Sequence, residues 1–497
     1  MTGSSRRPFR LLGLTALSAL FALACGSSNG GSAQSGSSGS SRWSVPVPLN
    51  TNATTDVGED FRVQLTTDGA GIWVAVWESN DDLGGTIGTD SDILFSRSLD
   101  DGLTWTDPAA LNTNAASDTG FDGLVELTTD GAGIWVAVWE SNDDLGGTIG
   151  TDDDILFSRS TDGGATWSPP AALNTTAASD NPPAATRNLP DLAPQLTTDG
   201  AVWIAVWESG NPLGAPGIGV DLDILLARST DGGATWSAPV PLNTNAATDR
   251  GLITGPVNNR CVDAAGNFNT QKCDQDYAAQ LTTDGAGNWV AVWVSTIDLG
   301  GLDLVKTDPD ILVARSSNAG VTWSDPETLN TNADRDSKDD YTPQLTTDGA
   351  GNWVAVWTSY DSLDFTIAFD ADLLTAVSTD NGVTWSDPVP LNTNASTDVG
   401  DDFRPQITTD GTEWVAVWES YENLGGVLLT DADILESRSA DGVSWSAPAP
   451  LNSYAAGDSR GDYAPQLTTD GAGIWVAVWS GLLEINADRD ILVARPN

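Results

Sequence analysis

An Asp-x-Asp pair recurs seven times along the sequence, at Asp90 and Asp92, Asp152 and Asp154, Asp221 and Asp223, Asp308 and Asp310, Asp370 and Asp372, Asp431 and Asp433, and Asp488 and Asp490. A single Asp precedes each pair: Asp60, Asp122, Asp191, Asp276, Asp340, Asp402 and Asp462. Glu78, Glu140, Glu208 and Glu419 add a fourth acid in four of the copies. Carboxylates gathered this densely repel and raise one another's pKa unless a cation sits among them. Calcium takes six to eight oxygens in flexible geometry, which Asp, Asn and backbone carbonyls supply well. Zinc would want His or Cys, and the chain has no His and three Cys. Calcium is therefore expected on this acidic edge, with Asp60, Glu78, Asp90, Asp92, Asp402, Asp431 and Asp433 as ligand candidates. The plainer alternative is that these acids cap strand ends and turns while facing solvent.

Arginine and tyrosine supply the other candidates. Arg62 and Arg404 depart from the repeat, because the sister copies carry Leu124, Ala193, Ala278, Thr342 and Ala464 at that place. Arg250, Arg335 and Arg460 lie in the loops just ahead of first strands. By contrast, Arg97, Arg159, Arg228, Arg315, Arg438 and Arg495 recur at one strand position and read as structural. Tyr277, Tyr341 and Tyr463 share the place of Phe61, and Tyr360 and Tyr421 follow second strands. These five read as packing or rim residues.

The elements that must position these groups form a repeat of about sixty residues with two insertions, the signature of a repeat architecture. Its clearest copy runs Gln64 to Gly69, then Trp73-Val74-Ala75-Val76-Trp77, then Asp90 to Leu94. The first Trp of each copy is Trp73, Trp135, Trp203, Trp289, Trp353, Trp414 or Trp475. On an extended strand Trp73, Ala75 and Trp77 share one face and Val74 and Val76 the other, so both faces need cover. Asp68-Gly69 is hairpin chemistry. Ile93 to Ser98 reads as a third strand, and Thr104 to Leu111 as a fourth that Pro108 confines to the edge. Four such strands describe a propeller blade. The last copy stops after its third strand, and Trp43 to Asn50 matches fourth-strand text. The expected fold is therefore all-β, a seven-bladed β-propeller of four-stranded antiparallel blades closed by the N-terminal strand. Strand order puts the Asp sets on one rim. All 21 Trp fall at repeat positions, which assigns them to packing between blades.

The turn between third and fourth strands reads Ser98-x-Asp100-x-Gly102-x-Thr104-Trp105. It recurs around Asp162, Gly164 and Trp167, around Asp231, Gly233 and Trp236, and around Asp380, Gly382 and Trp385. Asn318 replaces the Asp in one copy, and Ser439 to Trp445 is one residue short. This turn resembles the Asp-box, or BNR repeat, of the sialidase-like propellers, and the resemblance covers nearly all of residues 43–497. In that family the boxes are structural and lie opposite the active site. The resemblance implies, for a sialidase, three Arg that grip the substrate carboxylate, an Asp acid/base, and a Tyr nucleophile assisted by Glu. Phe61-Arg62 and Phe403-Arg404 match only a fragment of the motif bearing the first Arg. Sialidases are six-bladed, whereas this chain counts seven. Residues 65–98 and 127–160 differ at one position, Ser91 against Asp153, so the blades contribute mostly the same groups.

Residues 1–25 read as an export signal. Arg6, Arg7 and Arg10 precede an apolar run from Leu11 to Ala24, too short to span a bilayer. The segment resembles a bacterial lipoprotein signal with Cys25 as the lipidated residue. Residues 26–41 are a Gly/Ser-rich tether, and residues 42–497 form the propeller. Cys261 and Cys273 then remain as a pair, expected to form a disulfide in an exported chain. A formal charge of −48 argues against nucleic acid and against anionic membranes. The expectation is a monomer that touches a membrane only through a lipid anchor, at the outer membrane or cell surface, or is secreted. On its rim it binds a glycan or protein ligand. Two other readings stand beside this: an exo-α-sialidase or related glycoside hydrolase using Arg62 and Arg404, and a structural or adhesive calcium-binding surface protein.

Overall fold

The computed structural model describes residues 42–497 apart from 57, 181–189, 214–216, 219–220, 249–274, 298, 300–307, 336–337, 458 and 483–487. Cys25, Arg250 and the Cys261–Cys273 pair thus lie outside the described residues. The chain builds seven four-stranded antiparallel sheets, six of them in simple sequence order from the innermost strand outward. Blade 1 runs Asp60–Thr67, Trp73–Ser79, Asp92–Ser98 and Ala109–Ala110. Blade 7 takes Asp462–Thr469, Trp475–Gly481 and Asp490–Ala494, and its outer strand is Val47–Pro48 from the other end of the chain. Val47 pairs with Val493 and Pro48 with Leu492, and Trp43 bridges Pro496. The expected latch is therefore what closes the ring.

The outer strands correct the reading of residues 104–111. Only Ala109 and Ala110 pair, with Phe95 and Leu94, and two residues is the length in every blade. Pro108 has no N–H to give the ladder. Ahead of it the Thr106 N–H donates to the Arg97 carbonyl at 2.9 Å. The Thr106 hydroxyl accepts from the Arg97 N–H at 3.1 Å, standing in for a backbone carbonyl.

The seams between blades follow from the two-faced second strand. Trp73, Ala75 and Trp77 pack against Val476 and Val478 of blade 7. Val74 and Val76, on the opposite face, meet Trp135, Ala137 and Trp139 of blade 2. A buried Trp removes roughly 150–250 Å² from water, about 4–6 kcal/mol at 25 cal/mol per Å². The same pairing at every seam makes apolar burial the dominant force holding the ring. The Asp-box turns sit at the far end of the third strands. In the first, Asp100 Oδ1 accepts from the Thr104 N–H at 2.8 Å and Oδ2 from its hydroxyl at 2.7 Å. Gly102, at φ 75°, takes the left-handed corner, and Trp105 packs on the seam with blade 7.

One feature of the innermost strands positions the site. In all seven blades the pairing slips by one residue, between Phe61 and Gln64 in blade 1. Such a β-bulge re-aims a side chain. The bulged residue stands at positive φ in every copy: Arg62, Leu124, Ala193, Ala278, Thr342, Arg404 and Ala464, at 47–53°. A non-glycine residue held there costs of order 1 kcal/mol. Across the seam, carboxylates pin the bulge. Glu208 Oε1 accepts from the Ala278 N–H at 2.7 Å, and Glu140 Oε2 accepts from the Ala193 N–H at 3.3 Å.

Candidate functional site

The bulges open onto a cavity of about 1060 Å³ around the ring axis, on the rim opposite the Asp-boxes. Arg62 and Arg404 both line it, as the departure from the repeat suggested. Arg62 Nη1 donates to Glu78 Oε2 at 3.0 Å, and Arg404 Nη1 to Glu419 Oε2 at 2.7 Å. The arginine side chains stay 55% and 58% exposed, while Glu78 and Glu419 are only 10% and 3% exposed. Each guanidinium thus keeps donors available, held in place by a buried carboxylate. A third arginine, Arg489, joins them, its guanidinium 5.6 Å from the centre of the Phe61 ring and 4.9 Å from that of Tyr463. Sequence reading missed it, because it sits inside the last Asp-x-Asp pair. It departs from the repeat as Arg62 does, since its counterparts are Ser91, Asp153, Leu222, Pro309, Ala371 and Ala432.

Blades 6, 7 and 1 therefore supply one arginine each, side by side. Blades 5, 6 and 7 add tyrosines to the same side of the mouth. Tyr341 and Tyr360 meet edge to face at 6.4 Å, and the Tyr341 hydroxyl donates to Asp339. Phe403 and Tyr421 repeat that geometry in blade 6. Tyr341, Tyr360, Tyr421 and Tyr463, read as packing or rim residues, all line the cavity. The blades are mostly alike, but positions 61, 62, 360, 421 and 489 make the mouth asymmetric. Arg335 is outside this lining, in an ion pair with Asp334 at 3.5 Å, and Arg460 is outside it too.

Glutamines of the innermost strands also line the cavity: Gln64, Gln195, Gln344, Gln406 and Gln466, with Glu126 in the place of a sixth. Glu126 Oε1 accepts from Gln64 Nε2 at 2.7 Å and from Gln195 Nε2 at 2.9 Å. Burial pushes its carboxyl up to about 8, against which the Gln195 bond works. The Tyr421 hydroxyl lies 3.4 Å from Glu419 Oε1. Its phenol is raised, by burial first and then by Glu419, with Arg404 opposing. A nucleophilic phenolate needs the opposite shift.

The acidic rim is a second, separate constellation. At each blade junction an Asn joins two carboxylates from neighbouring blades. Asn112 Nδ2 donates to Asp92 Oδ1 and to Asp122 Oδ2, both at 2.7 Å, and its Oδ1 accepts from the Ile93 N–H at 3.1 Å. Asn50, Asn174, Asn243, Asn330, Asn392 and Asn452 repeat the arrangement. Sequence reading overlooked this Asn, although Leu-Asn closes every fourth-strand segment. The strand-opening acids are buried, not solvent-facing: Asp60 is 2% exposed and Asp92, Asp402 and Asp433 at most 1%. Burial is the first cause pushing Asp92 up to about 7 and Asp154 and Asp372 up to about 8, with neighbouring Asp residues adding to it. Of the expected metal ligands, Asp90 and Asp92 come together with Asp118, and Asp60 with Asp56 and Asp490. Asp402 reaches Asp372 through Asn392, and Asp433 reaches Asp462 through Asn452. Asp431, two residues from Asp433, is in none of the close acid groups among the described residues. Glu78 is a correction: its partner is Arg62 at the axial cavity, so the Glu that ends a second strand belongs to the mouth.

No protein-family profile matches the chain, and no curated protein sequence matches it. Among solved structures it is similar to a Dyadobacter fermentans protein of unknown function, with 15% identity, a TM-score of 0.44, and coverage of 76% of this chain and 94% of that one. It is also similar to the Penicillium chrysogenum alpha-L-arabinanase complexed with arabinobiose, with 14% identity, a TM-score of 0.43, and coverage of 73% and 90%. A third is the Trypanosoma rangeli sialidase in complex with sialic acid, with 13% identity, a TM-score of 0.41, and coverage of 75% and 54%. At this level of similarity no residue of the cavity is carried over from any of them.

Proposed function

We propose that this chain is a glycan-binding propeller whose axial mouth takes a sugar bearing a carboxylate. The observation that carries the reading is the arc of Arg404, Arg489 and Arg62, contributed by three successive blades and interleaved with Phe403, Tyr421, Tyr463 and Phe61. A guanidinium presents a planar fork that matches a carboxylate in two parallel hydrogen bonds. Aromatic rings among a few convergent polar groups give such a pocket its apolar floor and walls. The chain's charge of −48 does not forbid an anionic ligand, because exposed charges more than about 8 Å apart are largely screened at physiological salt.

Hydrolysis is the second reading, and the Tyr421–Glu419 pair beside Arg404 is what favours it. The raised phenol of Tyr421 weighs against it, and Glu419 already serves Arg404 and, at 3.5 Å, the Ala464 N–H. One experiment addresses both. The full chain is applied to an array of acidic and neutral glycans and, in parallel, to a fluorogenic sialoside. Retention of acidic glycans without turnover supports the proposal. Turnover that is lost in Tyr421→Phe would make the hydrolase reading the better one, and retention of neutral glycans alone would overturn the carboxylate assignment.

A further inference from the structure

We propose that the acidic rim carries calcium sites at blade junctions, each built from one or both acids of an Asp-x-Asp pair and the loop Asp (Asp56, Asp118, Asp180 or Asp398) that follows the outer strand, with the next blade's strand-opening Asp joining at two of them. This stands apart from the axial ligand and uses none of its residues. At the junction of blades 1 and 2, single oxygens of Asp90, Asp92 and Asp118 all lie within 4.8 Å of one another. Calcium binds oxygen at 2.3–2.6 Å, so donors around one ion stand up to about 5 Å apart. The same closeness recurs for Asp154, Asp180 and Asp191, for Asp370, Asp372 and Asp398, and for Asp56, Asp60 and Asp490.

A second observation, independent of the clustering, points to a ligand. Asp92 and Asp154 are 1% exposed and Asp372 is 0% exposed. Each accepts at Oδ1 from the junction Asn amide, while Oδ2 has no hydrogen-bond partner. A buried carboxylate oxygen left without a donor is costly. Next to it, Asn114 spends its amide on Asp118 Oδ2 at 2.6 Å and on Asp143 Oδ2 of the next blade at 2.7 Å. That leaves Asn114 Oδ1 buried and unpartnered, and Asn394 Oδ1 is in the same state in the corresponding place before Asp398. Buried acceptors left without a donor beside clustered carboxylates are satisfied by a cation. The donors are all oxygen, which suits calcium, whereas magnesium would demand a near-ideal octahedron at 2.0–2.1 Å. The ion bridges the third strand of one blade and the loop leading into the next, so it would bind only the folded ring and stabilise it.

The test uses the full chain stripped with chelator and titrated with calcium chloride by calorimetry, with melting followed in parallel. The expected result is uptake of several ions per chain and a higher Tm in calcium than in chelator. Asp92→Asn, isosteric and without charge, is expected to lower the stoichiometry by one. Should that variant not fold, Asp118→Asn, in a loop outside any strand, is expected to do the same. No uptake at millimolar calcium would overturn the proposal, as would an unchanged stoichiometry in the folded variant. Equal uptake of magnesium would overturn the choice of ion.

Discussion

At the residue scale, Glu126 is the single acid where the sister copies carry Gln64, Gln195, Gln280, Gln344, Gln406 and Gln466. Its carboxyl titrates at about 8 in the folded ring against an ordinary 4.5. The folded state therefore holds a proton there that the unfolded chain has released. The stability tied to that proton is fully present below pH 4.5 and is lost as pH rises through 8. Glu126→Gln removes the titration while keeping an oxygen for the Gln64 and Gln195 amides. We expect the variant to gain on the wild type between pH 5 and pH 9, by about 1–2 kcal/mol after allowance for the open cavity. Melting curves at the two pH values check this. A difference that does not change with pH would show that the Glu126 proton is not coupled to folding.

At the element scale, the bulge is what turns a row of identical strands into a mouth. Its left-handed residue is strained in every blade, yet only Arg62 and Arg404 use the position for a long polar side chain. Ala193 gives little packing in exchange for its φ of 47°. Ala193→Gly should therefore stabilise the ring by about 1 kcal/mol, since glycine adopts that conformation without penalty. Denaturant unfolding measures it, and a loss of stability would mean that the Ala193 methyl contributes more than the strain costs. The bulge was not legible in the sequence, because the seven residues that share this backbone geometry share no side-chain type. The Asp-box turns were legible, since Ser, Asp, Gly and Thr stand at offsets that their hydrogen bonds require. The outer strands were over-read, because Trp105 and Leu111 make residues 104–111 look like a strand although Pro108 denies them a ladder.

At the scale of the whole molecule, blade number and closure could be read from the period and from the copy that lacks its fourth strand. Removal of residues 43–50 would strip blade 7 of its outer strand and of Trp43, which is 1% exposed. We expect such a chain to melt several degrees lower and to aggregate through the bared edge of Asp490–Ala494. Unchanged melting would mean that the two ends of the chain do not hold the ring shut. The site was legible only in part, for a physical reason. Departures from the repeat mark asymmetry, and that rule found Arg62 and Arg404. Applied to the middle residue of each Asp-x-Asp pair it would also have found Arg489. The Asn that joins blades escaped notice because it is the same in every copy, and a uniform residue reads as scaffold. Burial of the rim acids is not legible in any one repeat, because it is a property of the closed ring.

Carboxylate recognition by Arg404, Arg489 and Arg62, as proposed, is tested most directly by calorimetric titration of the full chain with the best-retained acidic glycan and with the methyl ester of the same glycan. A charge-assisted bidentate contact contributes about 1.5–3 kcal/mol, or at least tenfold in Kd. The ester is expected to bind at least tenfold more weakly than the acid, and Arg404→Ala to lose the preference while keeping the wild-type Tm within a few degrees. Equal affinity for acid and ester, or a preference that survives in Arg404→Ala and Arg62→Ala alike, would contradict carboxylate recognition.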